Sequence, residues 1–242
     1  MSEILRLEGV NKAFGAVTVS DQLSYSLDSG EALGVIGPNG AGKTSMFNLI
    51  TGTLPADSGS VIFDGKDVTL VSAADRCRAG ISRSFQVPQP FSGLTVFENA
   101  MVAATESARL KNLEARKLCM EVLEQTGLLA KANVLAGGLT LLERKRLELT
   151  RALCTKPQLL LLDEIAGGLT ESECVSLIET IKEVHSSGVS IIWIEHVVHA
   201  LLAVVDRLVV INFGKKIAEG EPEAIMKSSE VQEIYLGIDA ND

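Results

Sequence analysis

Eight consecutive residues, Gly37-Pro38-Asn39-Gly40-Ala41-Gly42-Lys43-Thr44, fit the phosphate-binding pattern GxxxxGK[ST] and constrain this chain more than any other stretch. In such a loop three glycines let the backbone curl until its N–H groups point inward at a pair of phosphates. A lysine adds a point charge and a hydroxyl reaches the accompanying Mg²⁺. The loop needs a strand before it and a helix after it, because the helix N-terminus favours the anion. Ala32-Leu33-Gly34-Val35-Ile36 reads as a buried strand and Lys43 to Ile50 as a helix, so both neighbours are present. An α/β nucleotide-binding domain is expected.

The 242 residues suffice for one α/β domain with a full core and a subdomain, not for two large domains. Against 31 acidic residues stand 22 basic ones, giving a net charge of −9, and no Lys/Arg-rich block occurs. Nucleic-acid binding, which needs a basic face, is not expected. Cys77, Cys119, Cys154 and Cys174 lie far apart, so they read as reduced thiols of the core or of helix faces rather than a zinc site or disulfide framework. The opening Met1-Ser2-Glu3-Ile4-Leu5-Arg6 lacks the pattern of a signal peptide. The apolar region Val189 to Ile211 is broken by Glu195, His196, His199, Asp206 and Arg207. A cytoplasmic chain is expected, with any membrane association made through a partner.

In chain order, Ile4 to Val10 and Val17 to Leu27 alternate as strands, with Phe14-Gly15 at the turn between them. Ser60 to Gly65 reads as a further strand and turn, and a short helix follows with Ser72 as N-cap and Gly80 just past its end. Past Ile81 the character changes. Val87-Pro88-Gln89-Pro90-Phe91 admits neither a regular helix nor a central strand, and marks a subdomain boundary. Thr95 to Thr105, Leu113 to Gln125 and Leu139 to Leu153 carry imperfect helical faces. After Pro157 a central parallel strand is expected at Leu159-Leu160-Leu161-Leu162-Asp163, then a helix at Glu171 to Ser187, a strand at Val189 to Ile194 and a helix at Val197 to Val205. Leu208 to Ile217 reads as a hairpin around Asn212-Phe213-Gly214, and Pro222 takes the first position of a C-terminal helix.

The strand-end acids carry the chemistry. Asp163, at the tip of an all-apolar strand beside a phosphate loop, is placed to hold Mg²⁺, and Glu164 to orient or activate an attacking water. Gln86 stands where the core passes into the helical insert, and its amide suits Mg²⁺ or water. His196 ends the strand Val189 to Glu195 and is placed to face a γ-phosphate, whereas His185 and His199 fall on helices and read as surface or structural residues.

The order of these features, from the phosphate loop through Gln86, the helix near Leu139 and Leu159-Leu160-Leu161-Leu162-Asp163-Glu164 to His196, resembles the ATP-binding cassette (ABC) family along essentially the whole chain. The resemblance implies an α/β P-loop NTPase fold of ABC-ATPase type, with a mostly parallel core sheet, an antiparallel β subdomain and a helical insert. Residues 1–86 and 155–242 would form the nucleotide-binding core and residues 87–154 the helical subdomain. It implies ATP and Mg²⁺ as cofactors. Phe14 would stack on adenine, and Gly37, Pro38, Asn39, Gly40, Ala41, Gly42, Lys43, Thr44 and Ser45 would bind the rest of the nucleotide. Thr44, Gln86 and Asp163 would surround the metal, with Glu164, Gln86 and His196 catalytic. Gly93 to Asn99, Arg146 to Leu153, Ala166-Gly167-Gly168-Leu169 and Tyr235-Leu236-Gly237 are similar to the ATPase subunits of branched-chain amino acid importers. That implies a second ATPase subunit, transmembrane permease subunits and, indirectly, a solute-binding protein as partners, with the chain peripheral on the inner face of the membrane.

The departures from the family are specific. Leu139-Thr140-Leu141-Leu142-Glu143 stands where the family has its signature LSGGQ. The hydroxyl survives as Thr140, while the second glycine becomes Leu142 and the glutamine Glu143. In the family this turn opens a helix whose amides approach the γ-phosphate held by the opposite subunit; a leucine is expected to obstruct that approach and a carboxylate to repel it. Ile165 replaces a proline, and Thr170 an aspartate. Three readings follow: an importer ATPase, a hydrolytically impaired partner within an asymmetric pair, and an ABC ATPase with no transport role.

Overall fold

The computed structural model describes residues 2–236. The strands β1 (Glu3–Phe14) and β2 (Val17–Asp28) form a long antiparallel hairpin, and β3 (Ala32–Ile36) leads into the phosphate loop and α1 (Lys43–Thr51). Next come β4 (Ser58–Phe63), β5 (Lys66–Asp67), α2 (Ala73–Ala79) and β6 (Ile81–Ser84), then three helices, α3 (Val96–Glu106), α4 (Asn112–Gln125) and α5 (Leu141–Leu153). The chain returns through β7 (Leu159–Asp163), α6 (Glu171–Ser186), β8 (Ser190–Ile194), α7 (Val198–Leu202), β9 (Arg207–Asn212) and β10 (Lys215–Gly220), and the described part ends with α8 (Pro222–Lys227) and α9 (Ser229–Leu236). Of the importer-like ending Tyr235-Leu236-Gly237, Gly237 lies outside the described residues.

Two sheets result. One is antiparallel, in the order β2-β1-β4-β5; the other runs β10-β9-β3-β8-β7-β6 and is parallel except for β10. The central strands β3, β7 and β8 are buried at every position because both faces of their sheet are covered. Leu33, Val35, Leu159, Leu161, Ile192 and Ile194 pack toward the antiparallel sheet and α1. Their alternate neighbours Ile36, Leu160, Leu162, Ile191 and Trp193 pack into a second core with α3 to α7. Parallel register brings the C-terminal ends of β3, β7 and β8 to one edge, with Asp163 opposite Ile194. Ligands of open α/β sheets bind at such an edge.

Local chemistry sets the boundaries. Ser72 caps α2 and Gly80 closes it, as the sequence suggests, while Pro222 occupies the first turn of α8. Thr95, Thr140 and Thr170 each close a reciprocal capping box with the glutamate three residues on. The helix expected from Leu139 therefore starts at Leu141, with Leu139 outside it and buried in a small cluster with Val96, Leu123 and Leu147. The helix expected over Val197 to Val205 is shorter, at Val198–Leu202. Ile81 to Ser84, where the sequence shows no apolar alternation, forms the edge strand β6 beside β7. The β9–β10 turn has positive φ at both Phe213 (46°) and Gly214 (76°), the type I′ pattern whose twist suits a tight hairpin.

Candidate active site

The phosphate loop is packed from outside as well as shaped within. A Cβ on Gly37 would lie 2.0 Å from the Ile211 carbonyl oxygen, and one on Gly42 (φ 102°) 2.3 Å from that of Val19. The Gly214 amide donates to the Ala41 carbonyl at 2.8 Å, so the β9–β10 turn holds the loop against β2. The Lys43 ammonium is turned back onto the loop, donating to the Gly37 and Pro38 carbonyls at 2.6 and 2.9 Å. Burial pushes its pKa down, while the Glu164 and Asp163 carboxylates push it up. Both acids thus lie within electrostatic reach of the loop.

Asp163 ends β7 with its side chain 3% exposed. One carboxylate oxygen accepts from the Arg83 guanidinium; the other, Oδ1, is buried without a hydrogen-bond partner. An orphaned carboxylate oxygen beside a phosphate loop suits a divalent cation. It lines a cavity of about 440 Å³ together with Thr44 and Gln86, the two other expected metal neighbours. No group of three or more His, Cys, Asp or Glu side chains able to hold a metal occurs among the described residues. Asp163 and Thr44 offer oxygen ligands of the kind Mg²⁺ prefers.

Glu164 adopts a left-handed backbone (φ 47°), a conformation costing on the order of 1–3 kcal/mol for a side chain of this kind. Its amide donates to the Ile194 carbonyl at 2.8 Å, which ties it to β8. The Gln86 amide donates to one carboxylate oxygen, and His196 Nε2 lies 2.8 Å from the other. Gln86, Glu164 and His196, 110 positions apart at their extremes, therefore converge on a single carboxylate. His185 instead bonds the Gly30 carbonyl at 2.8 Å, a structural role.

A sequence model described as ABC transporter matches residues 20–167. The chain belongs to the ABC transporter family. It is an ATP-binding, ATP-hydrolysing transport subunit. It is 33% identical to a probable branched-chain amino acid transport ATP-binding protein, LivG, of Methanocaldococcus jannaschii, over 97% of this chain and 98% of that one. It is 32% identical to the lipopolysaccharide export ATP-binding protein LptB of Haemophilus influenzae, over 97% of each. A nucleotide-free ATP-binding cassette of an ABC transporter superposes with a TM-score of 0.88 at 31% identity, covering 98% of this chain and all of that one.

Within this ABC cassette Phe14 closes the β1–β2 hairpin opposite Val17 and is 55% exposed, with the Lys12 ammonium 5.4 Å from the ring centre. At the signature position Glu143 is tied to its own surroundings. Glu143 accepts from the Thr140 amide at 2.9 Å and pairs with Lys131, whose ammonium holds its carboxyl below the usual range. The Thr140 hydroxyl in turn accepts from the Glu143 amide. Leu141 is 46% exposed and Leu142 half-buried at the opening of α5.

Three charged residues at this ABC site escape a reading of the sequence. Arg83, on β6, lies between the Phe47 and Phe85 rings, 5.4 and 5.2 Å from their centres, and bonds Asn48 at 2.6 Å as well as Asp163. Glu195 is buried, accepting from the His196 amide at 2.9 Å and the Ala166 amide at 3.0 Å. Lys145, also buried, donates to the Glu164 carbonyl at 3.2 Å. The signals were a lone arginine in the run Ile81 to Phe85, and an acid ending an apolar strand at Glu195 as at Asp163.

Proposed function

We propose that the chain is the ATPase subunit energising a membrane importer of branched-chain amino acids or similar small solutes. The convergence of Gln86 and His196 on Glu164, at the same sheet edge as Asp163 and the phosphate loop, carries the catalytic half of this reading. The importer-like segments and the similarity to LivG support the solute, and the similarity to LptB defines the competing cargo. In this reading loop amides and Lys43 bind the phosphates, after the ammonium leaves the Gly37 and Pro38 carbonyls. Asp163, Thr44 and Gln86 would hold Mg²⁺, which when bound supplies positive charge to the phosphates. Glu164 would exchange its hydrogen bond with Gln86 or His196 for one from a water, which it orients, while His196 faces the phosphate.

Transport requires a permease, and the surface beside Gln86 suits one. Cys77, Ile81, Phe85, Phe91, Val102 and Ala103 line an apolar groove of about 290 Å³, in which Phe85 and Phe91 are about half exposed. Asn99 fixes Phe91 through its backbone, and Glu148 with Arg151 fixes Gln89. An exposed apolar patch held on rigid supports marks a protein contact, here a cytoplasmic segment of the permease. That contact would place the chain on the inner face of the membrane without a span of its own. Reconstituting the chain with its co-expressed neighbours in liposomes tests the reading. ATP-dependent leucine uptake is expected; ATP-dependent extraction of a lipid, with no uptake, would overturn the solute assignment.

A second reading is favoured by Leu141 and Leu142. If each ATP site is completed by the signature turn of a second subunit, this chain offers its partner a turn narrowed by leucine and already self-capped. Loss of such a donor turn costs on the order of 10²–10³ in rate. The chain would then work in an asymmetric pair, its own site completed by a different subunit with a glycine signature. Turnover of the isolated chain should be poor and should rise at least tenfold in L142G/E143Q. Brisk turnover of the unmodified chain, with no gain in that variant, would refute the asymmetry.

A further inference from the structure

We infer that Lys145 is a positioning residue that fixes Glu164 from the signature helix, joining the turn offered to one ATP site to the carboxylate that serves another. The inference rests on the reading of Glu164 as the water-orienting residue.

Lys145 lies five residues past Thr140, in the first turns of α5, and is 4% exposed. Its ammonium reaches across to β7 and donates to the Glu164 carbonyl at 3.2 Å. Packing alone does not require an ammonium there, since methionine would fill a similar volume without desolvating a charge. The backbone it contacts is the left-handed one of Glu164, which persists only where the surroundings over-determine it. Three contacts do so: the Glu164 amide on Ile194 of β8, the Gly167 amide on the Glu164 carbonyl at 3.3 Å, and Lys145 on that same carbonyl. The first two come from the core sheet and from the loop itself. Lys145 is the contribution of the helix that opens at the signature turn.

A second buried charge, within electrostatic reach of Lys145, braces the same loop. The Glu195 carboxylate holds the Ala166 amide, two residues past Glu164, with one oxygen and the His196 and Val197 amides with the other. His196 reaches the Glu164 carboxylate in turn. Lys145 thus acts on the Glu164 backbone and Glu195 on the residue that meets its side chain. A shift of α5 when the signature turn meets a second subunit's nucleotide would be delivered by Lys145 to Glu164 of this subunit.

The test is made on the assembled complex, with ATP turnover and nucleotide affinity measured separately. K145M is expected to lower kcat about ten- to a hundred-fold, the scale of a displacement near 1 Å, while leaving KM and ATP affinity within about twofold. K145R, which keeps a donor, should recover kcat to within about threefold of wild type. In an E164Q background, K145M should lower the residual rate no further, because both changes remove the same function. Should K145M fail to fold, K145Q, whose donor falls short of the Glu164 oxygen, is read in its place. A folded K145M with wild-type kcat, or one that slows E164Q as much as it slows wild type, would overturn the inference. Wild-type turnover in E164Q would instead overturn the role of Glu164 itself.

Discussion

The buried pair of Arg83 and Asp163 makes a quantitative prediction. Their side chains are 8% and 3% exposed, and Arg83 is further held by Asn48 and by the rings of Phe47 and Phe85. R83M fills much of the space between the rings but leaves the Asp163 carboxylate buried without its counter-charge. Removing one partner of a buried pair costs about 3–5 kcal/mol. At about 2–4 °C per kcal/mol for a chain of this size, the melting temperature should fall by about 6–20 °C. If Asp163 also serves Mg²⁺, saturating Mg-ATP supplies the missing positive charge, and the deficit should shrink under those conditions. Adding D163N should recover most of the stability of R83M, since no buried charge then remains. Thermal unfolding of wild type, R83M, D163N and the double variant, with and without Mg-ATP, checks each step. An R83M protein melting within about 2 °C of wild type would refute the pair as a source of stability. An equal deficit with and without Mg-ATP would refute the exchange of counter-ions at Asp163.

Lys43→Ala should weaken ATP binding at least thirty-fold, from the about 2–5 kcal/mol attached to a buried charge pair, and fluorescence titration with a labelled nucleotide would show it. E164Q should bind ATP normally and turn it over about 10²–10⁴-fold more slowly, measured as phosphate release from the active complex. The folded-state pKa of Glu143 lies below its unfolded value, with Lys131 as the main cause, so the acid's contribution to the α5 cap is present above the ordinary glutamate range and is lost as pH falls through the depressed value. A carboxyl titration by NMR should place Glu143 below an ordinary glutamate in wild type and move it upward in K131A; an unchanged midpoint in K131A would remove the ion pair as the cause.

Much of the fold was legible because single residues carried decisive constraints. Two strands buried on both faces announce themselves as Ala32 to Ile36 and Leu159 to Leu162, and Ser72, Gly80 and Pro222 mark helix ends through backbone needs that few other residues meet. The strand β6 was not legible, since Ser82 and Ser84 are buried there and erase the alternation that a half-exposed strand would show. The capping boxes Thr95 with Glu98, Thr140 with Glu143 and Thr170 with Glu173 were present in the sequence as a spacing of three. Reading Glu143 only as a departure from a family pattern hid its local purpose. At the candidate site, Asp163, Glu164 and His196 stood out by position relative to strand ends, and Gln86 by standing where the core passes into the helical insert. Lys145, Glu195 and Arg83 did not, because what makes them consequential is a contact between elements distant in sequence.

Two glycines of the phosphate loop are reserved twice over. Gly37 and Gly42 leave no room for a methyl group against the Ile211 and Val19 carbonyls, and a methyl group on Gly214 would meet the Ser20 backbone at 2.9 Å. A survey of tolerated substitutions would score all three as intolerant, and the first two would be credited to the nucleotide. Yet the obstacle lies in the protein's own backbone, and Gly214 belongs to a distant hairpin. Intolerance at these positions is therefore a signature of assembly as much as of chemistry. Mutational scans of this chain will separate the two only if folding is scored alongside activity at each glycine.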